Sequence, residues 1–217
     1  MISELPFKST IPELGKIIDG IEKAGEKILE VYETDFSTEK KDDDSPITQA
    51  DIESNKILKE VLGETGITIL SEEDVDDRKR LSEEKVWIVD PLDGTKEFIK
   101  RNGMFTVNIA LMRRDGARWA PLFGVVHAPA TDTTWFGGAL HTSERRGRDG
   151  SGPMMAQASD GLVKLVASGS HRGEKDESFA AAVGEHELIR MGSSLKACIV
   201  AEGGADLYPR FGPTSCW

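Results

Sequence analysis

Cysteine is almost absent from the 217 residues: only Cys198 and Cys216 occur, and no metal-type spacing surrounds them. That scarcity excludes a disulfide framework and a thiolate zinc site, and fits a reducing cytoplasm. Long apolar runs are also lacking. No stretch approaches the ~20 residues that spanning a bilayer requires, and the N-terminal MISELPFKSTIPEL has no basic patch followed by an apolar core, so neither a transmembrane segment nor a secretion signal is expected. Peripheral contact with the inner face of a membrane stays open, as does the oligomeric state. Positive charge is in deficit, with 27 Lys and Arg against 38 Asp and Glu and a net charge of −11. Nucleic-acid binding is therefore not expected, because a phosphate backbone needs a basic surface to displace its counterions. A small anionic substrate is compatible where a metal or local arginines offset the field. The four histidines, His127, His141, His171 and His186, show neither ligand nor triad spacing and read as structural residues. With 38% hydrophobic and 30% charged residues the chain is an ordinary globular protein.

What is there is an alternation of elements without repeats. Apolar residues at Ile11, Leu14, Ile17, Ile18, Ile21, Ile28, Leu29 and Tyr32 recur at helical spacing and predict an amphipathic helix over 11–32. The charged run 40–44 reads as a solvated loop, since it lacks the spaced ligands and glycine of an EF-hand. A second helix is predicted over 48–62, with Thr48 and Asp51 as a capping box. Short apolar runs at 67–70, 86–89, 106–112, 122–126, 133–136 and 162–167 predict strands. The polar, glycine-rich SERRGRDGSGP of 143–153 reads as a lobe boundary or exposed loop. Beyond it a helix (177–183), a strand (187–191), a helix opened by Gly192-Ser193-Ser194 and a last strand (206–211) are expected.

The chemistry concentrates in WIVDPLDGTKEF, 87–98. Run 86–89 has the character of a buried strand, so Asp90 emerges at a strand end, where sites are commonly built. Pro91 stiffens the turn. At this spacing Asp90 and Asp93 can converge while the Leu92 carbonyl faces the same point. Two carboxylates ~4 Å apart repel by roughly 4 kcal/mol at an effective dielectric of 20, so a cation is expected between them. An all-oxygen ligand set selects a hard one, and Mg²⁺, which takes one or two carboxylates plus substrate phosphate, suits it. Gly94 permits close approach of a ligand, and a helix opening at Thr95 would present free N–H groups to an anion. The alternative is an Asp-rich turn with Asp93 as a plain helix N-cap. Glu72 and Glu73 follow run 67–70 at a similar strand end, and one of them can reach the same cluster; alone, SEED reads as a solvated loop. Asp51 is a helix cap unless its helix start faces the DPLDGT turn.

Ser71-Glu72-Glu73, the block WIVDPLDGTKEFIKRNGMFTVNIAL, and GSSLK with AEGGADLYPRFGPT resemble the inositol monophosphatase superfamily. Within it they are most similar to the 3'(2'),5'-bisphosphate nucleotidase branch. The resemblance implies an α/β (α+β sandwich) fold of the sugar-phosphatase type, with alternating helix and sheet layers. It implies an N-terminal lobe of residues 1–150 carrying the metal and phosphate site and a partial C-terminal lobe, 151–217, carrying substrate contacts. Glu72, Asp90, Asp93 and the Leu92 carbonyl match the family's Mg²⁺ ligands, two or three ions being held. Thr95 and Asp51, with Glu72, match the groups that prepare the attacking water; Gly94 and Thr95 amides match the phosphate contact; Ser194 and Arg210 fall where the rest of the substrate is touched.

The implied reaction is hydrolysis of a phosphate monoester, with no covalent phosphoenzyme. Inositol-directed relatives carry an acidic side chain near the Arg210 position, whereas an arginine suits a second phosphate. The expected substrate is adenosine 3',5'-bisphosphate (PAP), cleaved to AMP and phosphate in sulfur or nucleotide metabolism, with its sulfated precursor PAPS and inositol phosphates as alternatives. Tyr208 reads as core rather than a base-stacking residue. Gly169 departs from the branch, where a basic residue is expected. The family continues beyond GPTxxW with a further metal-ligating Asp, so a chain ending at Trp217 reads as a fragment or truncated product with its second lobe incomplete. Two other readings stand beside this one. In a haloacid-dehalogenase-type phosphatase DxDGT opens the domain with aspartates two apart, whereas Asp90 and Asp93 are three apart and in mid-chain. The other is a non-catalytic Mg²⁺- or nucleotide-binding remnant.

Overall fold

A computed structural model describes residues 11–40, 46–156, 161–168 and 173–212. In chain order its elements are α1 (Ile11–Tyr32), β1 (Thr38–Lys40), β2 (Pro46–Thr48), α2 (Gln49–Gly63), β3 (Thr68–Ser71), β4 (Lys85–Asp93), α3 (Thr95–Ile99), β5 (Thr106–Asp115), β6 (Arg118–Ala128), β7 (Thr133–Gly138), β8 (His141–Gly147), β9 (Gly150–Pro153), β10 (Val163–Ser168), α4 (Glu174–Val183), β11 (His186–Met191) and α5 (Leu195–Ala201). The fold is mixed α/β, as expected. Strands β3 to β9 form one sheet in sequence order, parallel at β3–β4 and antiparallel elsewhere. A separate parallel pair, β10 and β11, is connected through α4.

Period-two alternation splits the large sheet into two unlike faces. Cross-strand partners Trp87–Leu111–Phe123 and Val89–Ile109–Val125 are all buried. They meet Leu14, Ile17, Ile18, Ile21 and Ile28 of α1, and Leu58 and Leu62 of α2, in the main core. The intervening partners, Ile88–Ala110–Gly124 and Asp90–Asn108–Val126, face the opposite way and line a cavity. The helix spacing in α1 and α2 thus tells which strand residues are core and which remain for chemistry.

Three expectations are corrected. Strand β4 does not stop at Val89 but runs through Asp93, with a register shift against β5 between Asp90 and Asp93; apolar content marks only its buried half. The polar 143–153 segment is not an exposed loop. It is most of the β8–β9 hairpin, which extends the sheet by two strands whose side chains are largely solvated, so hydrophobic pattern could not reveal them. Region 206–211 is not a strand: one parallel bridge, Leu165 to Leu207, is all that forms. The charged run 40–44 lies, after Lys40, outside the described residues, as do Gly169, His171 and Cys216. No helix among the described residues is long and apolar enough to cross a membrane.

His127 is buried in β6 beneath α1. Its Nδ1 lies 2.9 Å from Thr134 Oγ1, which itself donates to Glu22 Oε1 at 3.0 Å, so Nδ1 carries the proton. Nε2 faces Gly25, where an added Cβ would stand 2.5 Å away. Burial pushes the imidazole down to about 4 from its usual 6.5. An unfolded chain takes up this proton near pH 6.5 and the folded one only near 4, so stability is lost on acidification through that window. The loss reaches about 3 kcal/mol by its lower end. Chemical denaturation at pH 7 and 4.5 should show a smaller acid-induced loss for His127→Gln than for wild type.

Candidate active site

Helix α2 gathers the site. Asp51, Ser54 and Asn55 share one face at spacings of three and four, and each is bonded to a different segment. Asp51 Oδ1 accepts from Thr95 Oγ1 at 3.3 Å, at the start of α3, while its Oδ2 accepts from Thr48 N and Thr48 Oγ1, each at 2.7 Å. Asp51 both closes the capping box of α2, whose N-cap is Thr48, and partners Thr95, because that helix start does face the DPLDGT turn. Ser54 Oγ donates to the Pro91 carbonyl at 2.8 Å. Asn55 Oδ1 accepts from Ser71 Oγ at 2.8 Å, next to Glu72.

Parallel pairing of Ser71 with Val89, continued by Glu72 N donating to Val89 O at 3.0 Å, sets the ends of β3 and β4 side by side. Glu72 and Asp90 become neighbours in this way. Burial first, then the charges of Asp93 and Glu72, lifts the Asp90 carboxyl well above the usual carboxylate range. Asp90 Oδ1 and its cross-strand neighbour Asn108 Oδ1 are buried without hydrogen-bond partners among the described residues. Two orphaned acceptors beside three carboxyl groups fit a hard cation, which Glu72, Asp90, Asp93 and the Leu92 carbonyl could hold. Among the described residues, no three His, Cys, Asp or Glu side chains stand in ready-made metal-ligand geometry. The fit therefore rests on the orphaned oxygens and the charge.

Gly94 turns the chain with φ 91°, and a Cβ there would press on Met104 O at 3.1 Å and Ser193 Cβ at 3.2 Å. Only glycine suits this position. The Gly94 carbonyl receives the amides of Glu97 and Phe98, so the amides of Gly94 and Thr95 lead into a single turn of helix beside the cavity. From the other side comes the Gly192-Ser193-Ser194 loop. Ser194 Oγ donates to Asp93 Oδ2 at 2.7 Å and accepts from Asn108 Nδ2 at 3.0 Å.

An open cavity of about 1660 Å³ takes in Glu72, Asp90, Leu92, Asp93, Gly94, Thr95, Ser194 and Arg210. Asp51 lies just behind Thr95. Sequence reasoning missed Ser54, Asn108 and Lys196. Lys196 is a buried lysine bonded to the Ser193 carbonyl at 2.5 Å, its ammonium 5.7 Å from the Tyr208 ring centroid. Burial, with Arg210 adding and Asp93 opposing, lowers its pKa. Two residues past Ser194 on a short helix, it could have been flagged as a cation on the same side of the site. Tyr208 lines the cavity, half-buried, instead of joining the core. Burial first, then Glu202 and Asp93, pushes the Cys198 thiol up to about 12, which leaves no thiolate nucleophile at neutral pH. His127, His141 and His186 make other contacts and do not line the cavity.

The model of the inositol monophosphatase family matches residues 16–217. The 3'(2'),5'-bisphosphate nucleotidase CysQ of Salmonella typhimurium is 41% identical over 203 residues, covering 89% of this chain and 78% of that protein. CysQ of Escherichia coli is 39% identical with the same coverage. The crystal structure of CysQ from Bacteroides thetaiotaomicron superposes with a TM-score of 0.82 at 38% identity, over 97% of this chain and 83% of that one. An inositol monophosphatase of Thermotoga maritima, at 21% identity and TM-score 0.75 over 91% of this chain and 76% of that one, shares the fold.

The bond from Ser54 to Pro91 gives a direct test of how α2 supports the site. Ser54→Ala leaves a buried carbonyl unpaired and should cost about 1–3 kcal/mol of stability. Urea unfolding of the two proteins measures it.

Proposed function

The chain belongs to the inositol monophosphatase family, and we propose that within it this protein is a 3'(2'),5'-bisphosphate nucleotidase that releases the 3'-phosphate of PAP to give AMP and phosphate. One observation carries the substrate reading. Lys196 and Arg210 line the same cavity as the DPLDGT acids, so a cationic wall faces a cluster suited to metal and phosphate. A second phosphate offsets that pair of cations, and a planar guanidinium matches it in two-point contact. Scarce cysteine argues for work in the cytoplasm.

Mg²⁺ dependence is typical of the family, and Glu72, Asp90, Asp93 and the Leu92 carbonyl would hold the ions. Bound there, Mg²⁺ supplies the positive field that a dianionic ester needs and lowers the pKa of water. The remaining work falls to the chain. The Thr95 hydroxyl has both Asp51 Oδ1, at 3.3 Å, and the Leu92 carbonyl, at 3.2 Å, as acceptors; with its proton given to Asp51 it keeps a lone pair free to take one from the attacking water. Asp51 has its second oxygen occupied by Thr48, which fixes the carboxylate's orientation. In this reading the backbone amides of Gly94 and Thr95, which line the cavity, bind the oxygens of the phosphate being cleaved. Water forms the new P–O bond as the ester P–O bond breaks, and the ribose oxygen leaves with a proton from solvent. Ser194 ties Asp93 to the substrate-side loop, so acid cluster and cationic wall hold one spacing. In this reading residues 1–150 form the lobe that does the chemistry, with β9 reaching Pro153, and 151–217 the lobe that selects the substrate.

Phosphate release from PAP, PAPS and inositol 1-phosphate, with Mg²⁺ and after chelation, tests the proposal. PAP with Mg²⁺ should be hydrolysed fastest; preference for inositol 1-phosphate would move the activity to the inositol branch. Asp93→Asn should keep the fold by circular dichroism yet retain less than about a tenth of PAP turnover, over roughly 1.4 kcal/mol of transition-state stabilisation. Arg210→Glu should harm PAP far more than adenosine 3'-monophosphate, because its repulsion acts on the second phosphate. Equal losses would count against that contact.

A further inference from the structure

Asp90, Asn108, Val126, Trp135 and Arg145 are successive register partners from β4 to β8, one unbroken row across the sheet. Helix α5 is bonded to this row at both ends. At its start Ser194 accepts from Asn108 and donates to Asp93. Just past its end, Glu202 Oε2 accepts from Trp135 Nε1 at 2.7 Å and pairs with Arg145 Nε at 3.1 Å. The spans agree. Ser194 to Glu202 is about 12 Å of helical rise, and Asn108 to Arg145 crosses about 14 Å of strand spacings.

Between its two ends α5 has light apolar support. Among the described residues, Ala128, Trp135 and Cys198 form the small buried cluster there, with Val126, Met154 and Leu195 packed on it. The cavity continues beneath, bounded by Trp135, Phe136, Met154, Cys198 and Ala201. With β10 at its side and, among the described residues, little hydrophobic packing to fix its height over the large sheet, α5 leans on the polar bonds at its ends. Glu202 is well set for this, because the chain turns back at once through Gly203 at φ 81° and a bond from Gly204 N to Ile199 O of 2.8 Å. A Cβ at Gly204 would meet Ile199 Cγ1 at 2.7 Å, so the turn is closed tightly on the helix.

We propose that Glu202 is a positioning residue for substrate selection. Through Trp135 and Arg145 it pins the far end of α5, and so sets the distance of Ser194 and Lys196 from the DPLDGT turn that a doubly phosphorylated substrate requires. This rests on the reading that Lys196 and Arg210 take the second phosphate.

The experiment is steady-state kinetics of the full chain with Mg²⁺ on PAP and on adenosine 3'-monophosphate. Glu202→Ala should raise KM for PAP about 10-fold with kcat held within about 3-fold, and leave kcat/KM for the monophosphate within about 3-fold. Glu202→Gln keeps an oxygen for the Trp135 N–H and should restore KM for PAP. Should Glu202→Ala fail to fold, Trp135→Phe, which removes the indole donor together with part of the buried ring, should shift KM for PAP the same way and leave the monophosphate within about 3-fold. An equal change on both substrates, as general destabilisation would give, overturns the inference. So does an unchanged KM for PAP. Wild-type protein with no preference for PAP over the monophosphate overturns the second-phosphate reading and the inference with it, whereas a preference that survives Glu202→Ala overturns the inference alone.

Discussion

Like charges brought together in a partly dry place must be held there by something else, and in this protein α2 does most of the holding. Glu72, Asp90 and Asp93 come from two parallel strand ends and a bulge, none of which would keep its place against mutual repulsion unaided. Ser54 fixes the carbonyl at the middle of the bulge, Asn55 fixes the residue before Glu72, and Asp51 fixes the first residue of α3. Helical periodicity makes this economical, since residues three and four apart share a face. The helix that seals one side of the core thereby holds the acids on the rim of the other.

The sheet separates the two tasks by its pleat. Side chains toward α1 and α2 are large and buried; those on the opposite face include alanine, glycine and the polar Asp90–Asn108 pair. Small residues leave room above the sheet, and a light, polar-anchored layer of α5 with its loops closes over that room. Such a layer has fewer apolar contacts than the helical side and depends more on individual hydrogen bonds. Selectivity, which asks for adjustable distances, sits on that side.

The sequence made legible what periodicity and motif can carry. Residues 11–32 read correctly as a helix because one apolar stripe faces one core, and the capping box at Thr48 and Asp51 is local chemistry with a fixed spacing. The acidic residues of DPLDGT and Glu72 stand out in the sequence because carboxylates at strand ends need a reason, and the structure brings both segments to one cavity. What stayed hidden was relational. The polar strands β8 and β9 carry no apolar alternation, since neither of their faces contributes to the main core. Ser54, Asn108 and Lys196 are common residue types whose significance arises only from register: Asn108 matters because it stands opposite Asp90, and Ser54 because Pro91 passes within reach. Tyr208 misled for a similar reason, as an aromatic next to an apparent strand that forms only one bridge.

Asp51 divides its two oxygens between different obligations, one to the backbone of its own helix start and one to Thr95. An experimenter who wants a silenced protein that still captures substrate would ordinarily remove the carboxylate. Here that change would also undo the first turn of α2 and, with it, the neighbouring grips on Pro91 and Ser71. A substrate trap is better cut at Thr95, whose hydroxyl lies outside the capping bonds; Thr95→Val would keep the bulk, the α2 cap and the grips on Pro91 and Ser71, giving up only the hydroxyl's own contacts with Asp51 and the Leu92 carbonyl.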